Sequence, residues 1–245
     1  MSENGQGLRR EKGVRLRGLS PSRLDTITDS AFAFALTLLV ISVGRLPANY
    51  GELLAALKDV PAFLAGFVAI LAIWNGHRGW SRRYGLEDRT SLTLTLALVF
   101  LMLVYVYPLR MVASTFFAWV SGGRLPGGFQ LAGVDELAGL FVLYGLGFAV
   151  LAALLALLHW HALSLADELG LDALERLRTR QSVLSWSVLA ATGAASALWA
   201  LLLPATWGVW AGFIYTQLAV TMPWLALRAE RQVAGLEEAA DGNGA

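Results

Sequence analysis

Cysteine is absent from the 245 residues, which excludes disulfides, thiolate catalysis and cysteine-ligated metal sites. Charge is scarce too: Asp, Glu, Lys and Arg make up 15% of the chain, where a soluble domain carries about 25%. Lysine is nearly missing, since Lys12 and Lys58 are the only lysines among 19 cationic residues. A net charge of +1 gives no bulk attraction for nucleic acid. No glycine-rich phosphate loop precedes a lysine, no serine elbow occurs and no paired-carboxylate site is evident, so the residues offer no enzyme. Neither a cofactor nor a structural metal is expected.

What is present is apolar. Hydrophobic residues reach 56% and the mean hydropathy is +0.57. Between Arg180 and Arg228 lie 47 residues without a charge, and between Glu136 and Asp167 lie 30. A spanning helix needs about 20 apolar residues, so these stretches hold two spans and one. Lipid offers no partner to free backbone groups, so the spans are helices or a closed barrel. Ala31 to Val43 is apolar on both parities, which favours helices over alternating barrel strands.

The pattern therefore predicts an all-α, polytopic membrane protein with six transmembrane helices over 24–45, 59–80, 90–114, 137–161, 183–203 and 207–227. The first would end at Gly44 to Pro47. Asp59 and Pro61 suit a helix start, and Pro108 is expected to bend the third span near its outer end. Residues 1–22 read as a flexible basic tail, 23–228 as the membrane domain and 229–245 as a second polar tail. Of the cationic residues, 15 fall on one side of this layout, leaving only Arg45, Lys58, Arg110 and Arg124 on the other. The positive-inside rule then puts both termini in the cytoplasm of a cell (plasma) membrane protein. Trp80, Trp119, Trp160, Trp207, Trp210 and Trp224 fall near span ends, as an aromatic belt does.

The first helix carries the most information. Arg23, Asp25 and Asp29 stand at its cytoplasmic end, and an apolar run with a lone hydroxyl, Thr37, follows. At 100° per residue, Ser30, Phe34, Thr37 and Ile41 share a stripe about 60° wide. Alternating hydroxyls and bulky apolar groups suit an ion path, the hydroxyl meeting the ion and the apolar ring forming a constriction. Spacing alone favours a plainer reading, in which Thr37 bonds its own i−4 carbonyl and Phe34 is ordinary packing. Ala31 and Ala35 lie on another face and permit close helix contact. Elsewhere, His159 and His161 point to different helix faces and suit interfacial positions rather than a shared metal. The mixed-charge connector after Leu165 is expected to pair Asp172 with Arg176.

Two segments carry a resemblance. Arg23, Thr28 and Asp29, followed by Phe32-Ala33, Ala35 and Thr37-Leu38-Leu39-Val40, resemble the first-helix signature of the endosomal and lysosomal potassium channel family called transmembrane protein 175, in its prokaryotic members. Ile73-Trp74-Asn75-Gly76-His77-Arg78 is similar to the family's Trp-x-x-His-His element. The resemblance implies one six-helix unit per chain, assembled as a homotetramer in the lipid bilayer. The first helices would line a central pore for potassium and other monovalent cations. By position Phe34 would be the constriction and Thr37 the next pore-facing layer, with Ser30 and Ile41 on the same stripe. Arg23, Thr28, Asp29, Trp74 and His77 would form a polar network between helices. The chain departs from the family at Ile27, Thr28 and Arg78, and Phe34 is bulkier than the usual Ile or Leu. Two other functions are compatible with the residues: a proton-coupled transporter using Asp29, His77 and Arg23, or a non-conducting scaffold or sensor sealed by Phe34.

Overall fold

The computed structural model describes residues 9–11, 13–41, 47–127 and 132–242, with side chains as far as 235. The expected end of the first span at Gly44 to Leu46 lies outside the described residues. The described chain is helical apart from one small hairpin. Its elements are β1 (Arg10–Glu11), β2 (Val14–Arg15), α1 (Arg23–Ile41), α2 (Tyr50–Leu57), α3 (Val60–Tyr84), α4 (Arg89–Val120), α5 (Val134–Ser164), α6 (Ala173–Leu202), α7 (Ala205–Gly208), a 3₁₀ segment (Val209–Gln217) and α8 (Leu218–Gly242).

Five of these helices, α1, α3, α4, α5 and α6, are long and apolar enough to cross a membrane. Their starts follow the local chemistry. Ser22 Oγ accepts from Asp25 N–H while Asp25 Oδ2 accepts from Ser22 N–H, a reciprocal cap at α1. Asp88 caps α4 by accepting from the N–H groups of Thr90 and Ser91. Asp172 and Glu175 close a capping box on α6. Asn49 caps α2, a short exposed helix absent from the expected layout.

Other boundaries differ from expectation. α4 runs through Pro108 to Val120 rather than stopping near 114. The proline removes one backbone donor, yet the further turns bury Leu109, Arg110, Ala113 and Ser114. Arg110, counted among the outer-side cations, is buried in α4 and ion-paired with the equally buried Asp59. The stretch expected as a sixth span is divided among α7, the 3₁₀ segment and α8. In the 3₁₀ segment Trp210, Phe213 and Thr216, three residues apart, fall in one exposed row, while Ala211 is buried against α6.

The core lies where α4 meets α1, α3 and α5. Leu98, Met102 and Val106 of α4 pack with Leu39, Ile70, Leu151, Leu155 and Leu158. α5 and α6 form the tightest pair. A Cβ added at Gly145 would stand 2.8 Å from Gly193 O, and one at Gly193 would stand 2.8 Å from Gly145 O. Two glycines thus let the backbones touch, which matters in lipid because apolar burial there gives helices little reason to associate. Polar rungs cross the core as well: Trp80 Nε1 donates to Leu158 O, and Tyr84 Oη bonds Thr179 Oγ1.

Residues 13–22, expected within a flexible tail, are docked on the end of the bundle. Val14 and Leu16 are buried, and the Arg17 and Gly18 N–H groups donate to Arg82 O. Glu175, only 1% exposed, accepts from Arg15 and Arg17. Its hydrogen bond to Arg15 holds that guanidinium above its ordinary pKa, against the opposing effect of burial. The connector also pairs differently from expectation. Arg176 bonds Asp167 and Leu171 O, because Asp172 is occupied as the α6 cap.

Candidate functional site

α1 is two-faced. Thr28, Phe32, Ala35 and Leu39 are buried against α3 and α4. Leu39 lies close to Gly66, where an added Cβ would meet it at 3.0 Å. Around the helix, Ser30, Phe34, Thr37 and Ile41 are all exposed, with Phe34 at 54% and Ile41 at 64%. None of the four is used in packing this chain's own helices. The inward residues at 28, 32, 35 and 39 and the outward ones at 30, 34, 37 and 41 follow a helical period on opposite sides.

The hydroxyls on the open face have a defined polarity. Ser30 Oγ donates to Thr26 O at 2.8 Å, and Thr37 Oγ1 donates to Ala33 O at 3.1 Å. The i−4 bond weighed for Thr37 is therefore formed. It does not consume the oxygen. A hydroxyl has one proton and two lone pairs, so a proton turned back to the helix leaves lone pairs directed outward. Such a surface attracts cations and has no proton to offer an anion. The rows at Phe34 and Ile41 are apolar, so the face alternates acceptor and hydrocarbon.

Two hydrogen bonds tie α1 to α3 at the end that begins with Arg23. Trp74 Nε1 donates to Asp29 Oδ1 at 2.7 Å. Ser81 Oγ donates to Asp25 Oδ1 at 2.6 Å. The Arg78 guanidinium lies over the Trp74 ring, 5.2 Å from its centroid. The other residues expected in this network are placed differently. His77 is buried and pairs with Thr95 Oγ1 of α4 at 3.1 Å, tying α3 to α4 rather than to α1. Thr28 Oγ1 donates to Leu24 O within α1. Arg23 is exposed, and its side chain has no hydrogen bond or ion pair among the described residues. Asp25 is one of the ionisable groups expected at the helix entry but not in the network, and Ser81 and Thr95 carry no sequence signal of their own. Ser22-x-x-Asp25 was a legible cap signal, whereas nothing marks Ser81 or Thr95 among many hydroxyls.

His159 is buried and bonds Leu155 O through Nδ1, while His161 bonds Asp88 Oδ2 at 2.8 Å. Burial alone would push the Asp88 carboxyl up, but the Ser91 N–H and His161 hold it below its ordinary value. No group of three or more His, Asp or Glu side chains suited to a metal occurs among the described residues.

A bundle of long apolar helices able to cross a membrane defines a class: a multi-pass helical membrane protein. Comparison with known proteins makes this specific. Residues 23–108 match the family described as endosomal/lysosomal potassium channel TMEM175. A protein of Marivirga tractuosa named "Potassium channel" is 31% identical over 214 residues, covering 81% of this chain and 83% of that one. A crystal structure of a single-substitution variant of the potassium channel MtTMEM175, in complex with a nanobody–MBP fusion protein, superposes with a TM-score of 0.78 at 27% identity. That match covers 92% of this chain and 99% of the other. The chain belongs to the TMEM175 family, as a prokaryotic-type member and a multi-pass membrane protein. Its relatives are named as channels, and it is not an enzyme.

Proposed function

We propose that the protein is a potassium-favouring cation channel in which the first helices of four identical chains surround the ion path. The observation that carries this is the open face of α1, where Ser30, Phe34, Thr37 and Ile41 are exposed in the single chain. Four copies turned inward would present a ring of Thr37 oxygen lone pairs beside a ring of Phe34 side chains. The first ring replaces part of a cation's water shell, and the second narrows the path without a pore loop. The named relatives support the choice of potassium. A ring of phenyls is a tighter constriction than one of Ile or Leu, so Phe34 sets the conductance.

The topology proposed with this function has six crossings and both termini in the cytoplasm of the cell membrane. An ordered series of bonds supports the sixth. Along α6, Trp199 Nε1 reaches Trp207 O, Ser196 Oγ reaches Ala211 O, Thr192 Oγ1 accepts from Gln217, and Gln181 reaches Ala229 O. The partners rise in number as α6 falls, so the last segment runs antiparallel along α6. From 199 to 181 α6 rises roughly 27 Å at 1.5 Å per residue, close to the hydrocarbon thickness. A transporter site shared by Asp29, His77 and Arg23 is not favoured, since among the described residues the three side chains have separate partners or none.

The test is potassium and sodium flux into liposomes holding the purified protein, with its mass in detergent measured alongside. Potassium-favouring flux from a four-chain particle, increased about tenfold by Phe34→Ala, is the expected result. A single-chain particle, or an assembled Phe34→Ala protein without flux, would overturn the proposal.

A further inference from the structure

Between α3 and α6, under the N-terminal hairpin, lies a cavity of about 340 Å³, within the range of about 300–1,000 Å³ of small-ligand sites. Its cationic lining is dense: Arg78, Arg82 and Arg83 come from the last turns of α3 and Arg178 from the first turns of α6. Among the described residues Glu11 is the only acid in the lining, and it is ion-paired to Arg82 at 3.6 Å. Arg78, Arg83 and Arg178 have no carboxylate partner among the described residues. Arg178 Nε is buried and makes no hydrogen bond. A buried donor on a charged group costs free energy unless something accepts from it.

The rest of the cavity suits an amphiphile. Trp186 of α6 forms an aromatic wall, closed against α3 because Gly76 carries no side chain there. A Cβ at Gly76 would stand 2.4 Å from the Trp186 ring. The arginines lie at the helix ends, which the proposed topology puts at the headgroup layer, and Trp186 lies two turns further along α6. Four guanidinium groups against one occupied carboxylate select an anion, and planar forks of N–H donors match phosphate oxygens. Basic pockets between membrane helices are the usual setting for anionic headgroups.

We infer that this cavity binds a phosphate-bearing anion, with Arg83 and Arg178 as its principal donors. Two sources share that chemistry, an anionic phospholipid headgroup from the surrounding leaflet and a free phosphate from solution. Glu11, Val14 and Leu16 of the hairpin region complete the walls, so the docked N-terminal residues belong to the site. Arg78 also stacks on Trp74, which bonds Asp29 of α1, so an anion held here would contact the neighbour of a side chain that anchors the proposed pore helix.

The test is native mass spectrometry of the purified full chain in detergent. Phosphatidylglycerol is titrated against phosphatidylcholine, and inorganic phosphate is titrated separately. Selective retention of phosphatidylglycerol, weakened about tenfold in Arg83→Gln/Arg178→Gln and unchanged in Arg180→Gln on the exposed surface, supports the headgroup source. Retention of inorganic phosphate with no preference between the lipids, weakened by the same pair, supports the soluble source. The wild-type comparison alone is decisive if the double variant fails to assemble. No preference for phosphatidylglycerol and no phosphate binding, or equal weakening by Arg180→Gln, overturns the inference.

Discussion

α1 and the α5–α6 pair are both apolar helical regions, and they are built on opposite plans. α5 and α6 meet backbone to backbone at Gly145 and Gly193, and both helices extend beyond a membrane's thickness. α1 is shorter, gives one face to the bundle through Phe32, Ala35 and Leu39, and leaves the other open. Because lipid is as apolar as leucine, hydrophobic burial does not decide which helices stay together. Close packing holds the pair. α1 depends more on directed bonds, Asp29 with Trp74 and Asp25 with Ser81. The difference lies in composition and anchoring: the exposed residues of α5 include the apolar Leu143, Leu146 and Trp160, whereas the open face of α1 alternates hydroxyls with apolar groups, which suits it to the proposed ion path.

The comparison breaks most visibly at the glycines. Gly145→Leu drives side-chain atoms into the Gly193 backbone, where even a Cβ has only 2.8 Å. We expect a loss of about 3 kcal/mol or more and no recoverable folded protein, read by size-exclusion chromatography in detergent. Thr37→Val lies on the open face and keeps the helix packing, so it should leave that elution unchanged while lowering cation flux severalfold. Next is Asp29→Asn, which removes the charge from the bond donated by Trp74. A charge-assisted bond is worth about 1.5–3 kcal/mol, so thermal stability in detergent should fall while the protein still folds. Trp74→Phe should cost a similar amount, and the double variant should cost less than the sum. Equal loss from an isosteric change at the exposed Ser30 would remove the special role of the Asp29 tie.

The smallest effect concerns Asp88, outside the spanning helices. Its carboxyl is held below the ordinary value, so its contribution is complete above the ordinary carboxylate pKa of about 4 and disappears as pH falls through the depressed one. Asp88→Ala should cost about 1 kcal/mol at neutral pH as a lost helix cap. The difference from wild type should shrink below about pH 4. A constant difference down to the acid limit would assign the cost to packing rather than to the ionised cap.

Much of α1 was legible because its buried and open faces are both written in a 3.6-residue period. Ser30, Phe34, Thr37 and Ile41 needed only helical geometry to be grouped. Partners between helices were less accessible. His77 faces Thr95 on α4 rather than Asp29 on α1, and spacing along one helix cannot say which neighbour each side faces. The docked residues 13–22 were read as a tail because their Arg and Gly content is that of a solvated segment. Their order comes from Glu175, 160 positions from Arg15, and no local pattern announces a contact at that separation. The division of the last segment into 3₁₀ and α parts was equally hidden, since its hydropathy is that of an ordinary span. Asn49-x-x-Glu52 is a readable capping signal for α2, a helix too short to span a membrane and with no buried residue.

The most direct test exploits the absence of cysteine, which makes any introduced thiol the only one in the protein. Thr37→Cys is reconstituted in liposomes and treated with a small water-soluble methanethiosulfonate during potassium flux. Leu143→Cys, exposed on α5, serves as the comparison site. If copies of α1 line the ion path, modification at position 37 blocks flux and modification at 143 leaves it intact. Undiminished potassium flux after complete labelling at position 37 would contradict the account.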